Sequence, residues 1–215
     1  KAVIETVQMG VPVARIELIN GLGMRAFNNY AKLGYAETPC LFVEFHGTDA
    51  GVAEQAETFG EIAAAHGGGP FQWTADADER NRLWKARHEA YWAGMTLRPG
   101  ARALSTDVCV PISRLAECIV ETEADIAASG LVAPIVGHVG DGNFHVLALM
   151  DMDDAGEIEA VEAFVAGLNM RAIAMDGTCT GEHGIGQGKV AFLTHELGAG
   201  VDVMRAIKRA IYPDD

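Results

Sequence analysis

Two histidines flank a short turn sequence in the second half of the chain, at 137–145 (GHVGDGNFH). The Asp-Gly pair at 141–142 lies between two apolar runs and predicts a two-residue hairpin turn. Counting outward from that turn places His138 directly opposite His145. Facing Cβ atoms on one sheet face lie about 4.5–5.5 Å apart, close enough for both imidazoles to bind one metal ion. We therefore interpret the pair as metal ligands rather than as ordinary histidines of a tight hairpin, with Asn143 beside them as a polar contact to a ligand.

A glycine-rich segment follows at 177–189 (GTCTGEHGIGQGK). It is not a Walker phosphate loop, which would need Gly at the position of His183 and Ser or Thr at the position of Val190. The remaining feature is the adjacent pair Glu182 and His183. Two interpretations stay open: a flexible surface loop, or a loop whose Glu182 completes a two-histidine, one-carboxylate site suited to Fe, Mn, Zn or Co.

An arginine and a tryptophan lie one helical turn apart in the segment LWKAR at 83–87. An arginine in such a position can bind a carboxylate through two parallel N–H bonds. On spacing alone, a solvated helix arginine is the more common case for Arg87.

The elements that must position these residues follow from the hydrophobic pattern and the turn residues. Predicted strands cover 13–19, 40–45, 71–74, 104–110, 132–139 and 143–150, and predicted helices cover 21–33, 49–66, 76–91, 112–128 and 155–175. After the turn-forming segment RPGA at 98–101 the order is β-α-β-β-α, which gives five elements of a ferredoxin-like split βαβ unit. We expect an α+β fold of duplicated ferredoxin-like subdomains with antiparallel sheet and packed helices, at residues 1–98 and 99–215.

Composition excludes several classes of function. Lys and Arg total 16 against 30 Asp and Glu, for a net charge of -14, which argues against nucleic acid or an anionic membrane surface as partner. No apolar run reaches about 18 residues, so we expect no transmembrane segment, and we expect no signal peptide. The first residue, Lys1, indicates a fragment or a processed chain.

The motifs HVGDGNFH and GTCTGEHGIGQGK together resemble the C-terminal domain of the FAD-linked oxidase family. That family includes D-lactate dehydrogenases, the glycolate oxidase flavin subunit and D-2-hydroxyglutarate dehydrogenases. The segment STDVCVPISRL at 105–115 is most similar to the D-lactate dehydrogenase branch, and the resemblance extends from ARIELINGLGMRAFN at 14–28 to the terminal helix.

The resemblance implies a role for each candidate residue. The implied roles are ligands of a divalent ion (Zn, Mn or Fe) for His138, His145 and Glu182, general base for His183, and substrate contacts for Arg87 and Asn143. It also implies that FAD is bound mainly by an N-terminal domain absent from this chain. We therefore expect the chain alone to be inactive, and the sequence leaves its own FAD contacts unknown.

The expected activity is oxidation of a small D-2-hydroxy acid, D-lactate or glycolate, to the 2-oxo acid, with hydride transfer to FAD. The reduced flavin would pass electrons to a cytochrome, a quinone or a partner subunit. We expect a location in the cytoplasm or an organelle matrix, including peripheral membrane contact through partners. Two alternatives stay open: a free-standing divalent-metal hydrolase, and a non-catalytic binding domain.

Overall fold

Helices and antiparallel strands alternate along residues 1–213, the part of the chain that the computed structural model describes. The helices of this part are α1 (Ala2–Gln8), α2 (Gly21–Ala31), α3 (Asp49–Ala65), α4 (Ala77–His88), α5 (Ala90–Met95), α6 (Ile112–Ser129), α7 (Ala155–Ala174), α8 (Val190–Leu197) and α9 (Gly200–Ile211). Its strands are β1 (Val13–Ile19), β2 (Cys40–Phe45), β3 (Arg102–Ser105), β4 (Val108–Cys109), β5 (Ile135–Gly137) and β6 (Asn143–Met150). None of these helices combines the length and apolar character needed to cross a bilayer.

The strands form one antiparallel sheet with the order β2-β1-β5-β6-β3, and β4 also pairs with β6. The two halves of the chain meet where β1 pairs with β5, with Leu18 opposite Gly137 and Ile19 opposite Val136. The α+β class expected from the sequence is therefore correct, and both halves contribute strands to the same sheet.

Strand β6 lies at the centre of the hydrophobic core. All eight of its residues are buried, because helices α6 and α7 pack with it in one cluster that contains Phe144, Val146 and Leu168. A strand covered on both faces has no polar alternation, which explains the apolar run at 146–150; the two polar residues of β6, Asn143 and His145, are buried as well. A second cluster, around Phe27 and Trp84, fixes α2, α4 and α5 against the other end of the sheet.

One buried asparagine joins these two regions. The side-chain oxygen of Asn20 accepts the N–H of Gly23 at 2.9 Å, which caps α2, and also the N–H of Ile135 at 3.0 Å. An N-cap contributes about 1 kcal/mol, and this one also fixes the start of α2 against the strand that leads into the histidine hairpin.

Several predicted elements differ from the structure. Residues 71–74 form no strand; the ring of Phe71 instead packs on Phe59, with centroids 5.1 Å apart. The predicted strand at 132–139 is shortened to β5. The single helix predicted at 76–91 is divided into α4 and α5 at Glu89.

The predicted strand at 104–110 is interrupted after Ser105. Here the hydroxyl of Thr106 takes the place of a backbone acceptor, because it accepts the N–H of Val146 at 2.8 Å. Asp107 then turns its carboxylate away from the strand ladder to accept hydrogen bonds from the glycine-rich loop. The break between β3 and β4 therefore supplies polar groups to the candidate site.

Candidate metal centre and adjoining cavity

The two hairpin histidines converge, but in a register that differs from the prediction. His145 pairs with Val136, so the same register places His138 opposite Asn143, and the N–H of Asn143 donates to the carbonyl of His138 at 3.3 Å. The predicted two-residue turn is wrong; the turn comprises residues 139–142. A shift of two residues preserves the sheet face, and the imidazole rings are diagonal neighbours with centroids 5.8 Å apart.

The longer turn has a tertiary cause. The carbonyl of Gly142 accepts the N–H of Val110 at 3.0 Å, and a Cβ atom at Gly142 would lie 2.1 Å from the carbonyl oxygen of Val110. Gly142 has a φ of +80°, which favours glycine. The turn is therefore shaped by contact with the β4–α6 junction and not by the Asp-Gly pair alone.

Glu182 brings a third potential ligand to the histidines. Its Oε1 lies 3.2 Å from Nε2 of His145 and 3.6 Å from Nε2 of His138, and one ligand atom from each of the three residues lies within 4.8 Å of the others. Donor atoms about 2.1 Å from a shared ion would be about 3.0 to 3.4 Å apart. The Glu182 side chain is 49% exposed, so the three groups face an open side where other ligands could complete the coordination.

A second group of potential ligands comprises Asp107, His145 and His183, whose ligand atoms also lie within 4.8 Å of one another. Asp107 is fully buried, and its carboxylate oxygens already accept several hydrogen bonds. An ion there would displace those donors. The chemistry of the donors therefore favours the set that contains Glu182.

Asp107, which the sequence interpretation missed, anchors the glycine-rich loop. Its carboxylate accepts the N–H groups of Glu182 at 3.1 Å and His183 at 2.8 Å. It also accepts the hydroxyl of Thr180 and the side-chain amide of Asn143, both at 3.0 Å. Burial alone raises the pKa of Asp107, but the hydrogen bonds from His183, Asn143 and Glu182 outweigh it and hold the pKa well below its usual value.

Two further contacts hold the loop in place, one with Asp107 and one with the hairpin. The ammonium group of Lys189 donates to the carbonyl of Asp107 at 3.2 Å. Gly181 passes so close to the hairpin that a Cβ atom there would lie 1.7 Å from Nδ2 of Asn143. Only glycine allows this approach, which gives a structural reason for the glycine before Glu182.

The ring of His183 stacks on the ring of His145, with centroids 4.9 Å apart and an angle of 8° between the planes. Its Nε2 lies 3.7 Å from Oε1 of Glu182. The side chain of His183 is half exposed, whereas His145 is buried. His183 therefore lies beside the three potential ligands on their open side.

Hydrogen bonds determine which nitrogen of each hairpin histidine is free. Nδ1 of His145 lies 3.0 Å from the carbonyl oxygen of Thr106, and Nδ1 of His138 lies 2.5 Å from Oε1 of Glu17. Both partners are acceptors, so in the neutral form of each ring Nδ1 carries the hydrogen and Nε2 retains its lone pair. Burial chiefly lowers the pKa of His145, and the hydrogen bond to Glu17 raises the pKa of His138.

Arg87 is buried and not solvated, since it is 9% exposed. Its Nε donates to Oε2 of Glu17 at 2.9 Å. Its Nη2 is 2.8 Å from the same oxygen, but at an angle that forms no hydrogen bond, and it has no other hydrogen-bond partner within residues 1–213. Arg87 and His138 both line a cavity of about 240 Å³, and Trp84 and Gly140 also contribute to its wall.

The remaining predicted substrate contact, Asn143, is buried. Its amide nitrogen donates to Asp107, while its Oδ1 has no hydrogen-bond partner within the described part of the chain. The structure thus brings His138, His145, Glu182 and His183 together, and connects Arg87 to them through Glu17.

Comparison with known proteins identifies the family of the chain. The family described as FAD linked oxidases, C-terminal domain, matches residues 1–215. A probable mitochondrial D-lactate dehydrogenase of Danio rerio is 50% identical over 211 residues, covering 98% of this chain and 42% of the relative. The mitochondrial D-lactate dehydrogenase [cytochrome] of Arabidopsis thaliana is 38% identical, covering 99% of this chain and 38% of the relative.

More distant relatives share the same region. Glycolate oxidase subunit GlcD of Bacillus subtilis is 31% identical over 93% of this chain and 43% of its own length. The solved 4-ethylphenol oxidase of Gulosibacter chungangensis has the same fold, with a TM-score of 0.69 at 15% identity over 99% of this chain and 49% of that one. The chain therefore spans less than half the length of each of these relatives.

Proposed function

The chain belongs to the C-terminal domain family of the FAD-linked oxidases, and from that premise we propose that it is the substrate- and metal-binding part of an FAD-dependent D-2-hydroxy acid dehydrogenase. The proposed substrates are D-lactate and glycolate, the names of which occur in the relatives D-lactate dehydrogenase and glycolate oxidase subunit GlcD. FAD would be bound mainly by a part of the protein outside this chain.

The observation that carries the proposal is the convergence of His138, His145 and Glu182, together with the cavity that His138 and Arg87 both line. Two imidazole nitrogens with free lone pairs and one carboxylate are a donor set suited to Zn, Mn or Fe. These residues therefore fit a divalent ion. Arg87 has a buried donor without a hydrogen bond, which is the group that a substrate carboxylate would satisfy.

The same geometry supports a different role for each residue of the site. When bound, the divalent ion would supply Lewis acidity at the 2-hydroxyl group and FAD would supply the hydride acceptor. His183, held in plane by its stack on His145, would take the hydroxyl proton. Arg87 and Asn143 would orient the substrate, and Arg87 would supply positive charge to an otherwise acidic chain.

We propose that the reduced flavin passes its electrons to a separate acceptor. A cytochrome, a quinone or a partner subunit would accept the electrons, and the relative from Arabidopsis thaliana carries the word cytochrome in its name. We infer a location in the cytoplasm or an organelle matrix, with any membrane contact made through the acceptor. The relatives named as mitochondrial support a location in an organelle.

The duplicated ferredoxin-like architecture, with subdomains at 1–98 and 99–215, also stays a proposal. In the second half, α6 joins β4 to β5, and β6 lies between these two strands, an arrangement that supports a split βαβ unit. In the first half, β1 and β2 are direct neighbours, which gives weaker support for a duplicate.

Metal titration tests the proposed centre. Calorimetric titration of the metal-stripped protein with Mn²⁺ or Zn²⁺ should show binding to one site, and His145→Ala should abolish it. His195→Ala, which removes an exposed histidine on α8, should bind as the unsubstituted protein does. Equal binding by both variants would refute the metal centre.

Rapid mixing of the flavin-loaded enzyme with D-lactate or glycolate tests the reaction class. Flavin bleaching is the expected result. A metal-dependent hydrolase or a non-catalytic binding domain, the two alternatives to a dehydrogenase, would leave the flavin oxidised.

A further inference from the structure

Glu17 is an acidic residue in an unusual place. It lies in β1, between the apolar residues Ile16 and Leu18, and is 3% exposed. The pairing of Leu18 with Gly137 puts Glu17 opposite His138 one step further along the strands. An ionised carboxylate is costly to bury unless it is paired and hydrogen-bonded, so the contacts of Glu17 must compensate for its burial.

Both oxygens of Glu17 are engaged, and with different parts of the proposed site. Oε1 contacts Nδ1 of His138 at 2.5 Å, and Oε2 accepts the Nε–H of Arg87 at 2.9 Å. One carboxylate thus touches a proposed metal ligand with one oxygen and the proposed substrate-binding arginine with the other.

The contact with His138 has a chemical consequence for metal binding. A carboxylate can only accept, so it keeps the hydrogen of the neutral imidazole on Nδ1 and leaves the lone pair on Nε2. This Nε2 faces Oε1 of Glu182 at 3.6 Å. The opposite tautomer would place an N–H where a metal ligand is required.

The contact with Arg87 pairs the buried carboxylate with a positive charge. Arg87 compensates the charge of Glu17, and Glu17 in turn fixes the direction of the guanidinium group. Nε donates to Glu17. Nη2 lies 2.8 Å from the same carboxylate oxygen but forms no hydrogen bond within the described residues, so its N–H groups stay available to a further anion.

We propose that Glu17 is a positioning residue, which holds His138 in the metal-binding tautomer and orients Arg87 for the substrate carboxylate. The inference rests on the proposed function, since the metal and the 2-hydroxy acid give these orientations their purpose. Outer partners of this kind support metal-ligating histidines, and their loss costs about 10–100-fold in metal affinity.

The decisive variant is Glu17→Gln, which keeps the shape but removes the charge. A glutamine can present its oxygen to His138 or to Arg87, but not to both, because its amide nitrogen is a donor. We expect the affinity for Mn²⁺ or Zn²⁺ to fall about 10–100-fold. Nitrogen-detected NMR of histidine-labelled apoprotein, at a pH where His138 is neutral, should show loss of the pure Nδ1–H tautomer.

Strand β2 offers a matched control. Glu44 lies 2.7 Å from Nη2 of Arg15 and 3.1 Å from Nε2 of His46, so it also joins an arginine to a histidine from within a strand. Its partners include none of the proposed metal ligands. Glu44→Gln should leave both the metal affinity and the tautomer of His138 unchanged.

Each result separates the two proposals. Unchanged metal affinity and an unchanged His138 tautomer in Glu17→Gln would overturn the role of Glu17 while the metal centre stands. If the unsubstituted protein binds no metal, the proposed centre fails, and the NMR spectrum still decides the role of Glu17. If Glu17→Gln does not fold, the unsubstituted apoprotein gives the answer, since finding Nε2–H on His138 there overturns the inference.

Discussion

Replacement of Asp107 by Asn should release the glycine-rich loop from the hairpin. The Asp107 carboxylate accepts hydrogen bonds from the backbone of Glu182 and His183 and from the side chains of Thr180 and Asn143. Asparagine keeps one acceptor oxygen but replaces the other with an N–H₂ group. Because that group is itself a donor, it cannot accept the hydrogen bonds that the second carboxylate oxygen accepted. Hydrogen bonds to charged groups contribute about 1.5–3 kcal/mol each, so the loss of two should cost about 3–6 kcal/mol.

This loss of free energy should destabilise the loop before it destabilises the whole domain, because the loop can detach while the core around β6 remains packed. About 3–6 kcal/mol corresponds to a factor of roughly 10²–10⁴ in the equilibrium constant for opening of the loop. We expect the backbone amides of Glu182 and His183 to exchange with solvent faster by about that factor, as measured by hydrogen exchange with NMR detection. Metal affinity should also fall in this variant, because Glu182 would no longer be held beside His145.

Asp154→Asn is the matched control. The Asp154 carboxylate caps α7 by accepting two backbone N–H groups, from Gly156 and Glu157, at an exposed position. Its replacement should cost no more than about 1 kcal/mol and should leave exchange in the loop and metal affinity unchanged. If the amides of Glu182 and His183 remain equally protected in Asp107→Asn, the assignment of Asp107 as the loop anchor is wrong.

The other predictions concern the same loop. Gly181→Ala should lower metal affinity, because the new Cβ atom would overlap Nδ2 of Asn143, whereas Gly188→Ala, with no atom within 4 Å of its Cβ position, should bind metal normally in the same titration. Glu182→Gln should lose metal, while His183→Ala should retain metal and substrate but reduce flavin bleaching about 10²–10⁴-fold; near-normal bleaching with metal bound would show that His183 is not the base. Since the pKa of Asp107 is depressed in the folded protein, its contribution to stability should be complete above the unfolded value of about 3.9 and decrease as pH falls below it. The difference in denaturation midpoint between the protein and its Asp107→Asn variant should therefore narrow in acid, and a constant difference would contradict the depressed pKa.

Much of the fold followed from local sequence signals. The predicted strands at 13–19, 40–45 and 143–150 have the bounds of β1, β2 and β6, because each has an apolar or alternating pattern bounded by turn residues. The failures occur where side chains replace backbone partners. Thr106 and Asp107 interrupt a predicted strand because their side chains accept backbone hydrogen bonds. A hydrophobicity pattern does not predict that side chains will replace backbone acceptors.

The site was predictable to the extent that strand periodicity determines it. The predicted hairpin register was wrong by two residues, yet His138 and His145 converge because an even shift keeps both side chains on one face. An odd shift would have separated them. The two side chains therefore share a face because the register shift is even. The longer turn that produces this register is associated with the hydrogen bond between Val110 and Gly142.

The residues that support the site were missed because their partners are distant in sequence. Glu17 lies 121 positions from His138 and 70 from Arg87, and Asp107 lies 76 from His183. One signal was available, since each is the only acidic residue of its predicted strand, at 13–19 and at 104–110, where an unpaired charge would be too costly to bury. That signal predicts that each carboxylate has a partner, but it does not identify the partner residue. Local spacing can thus indicate which residues bind a ligand, whereas the residues that hold them in place emerge only when the sheet brings β1, β4 and the hairpin together.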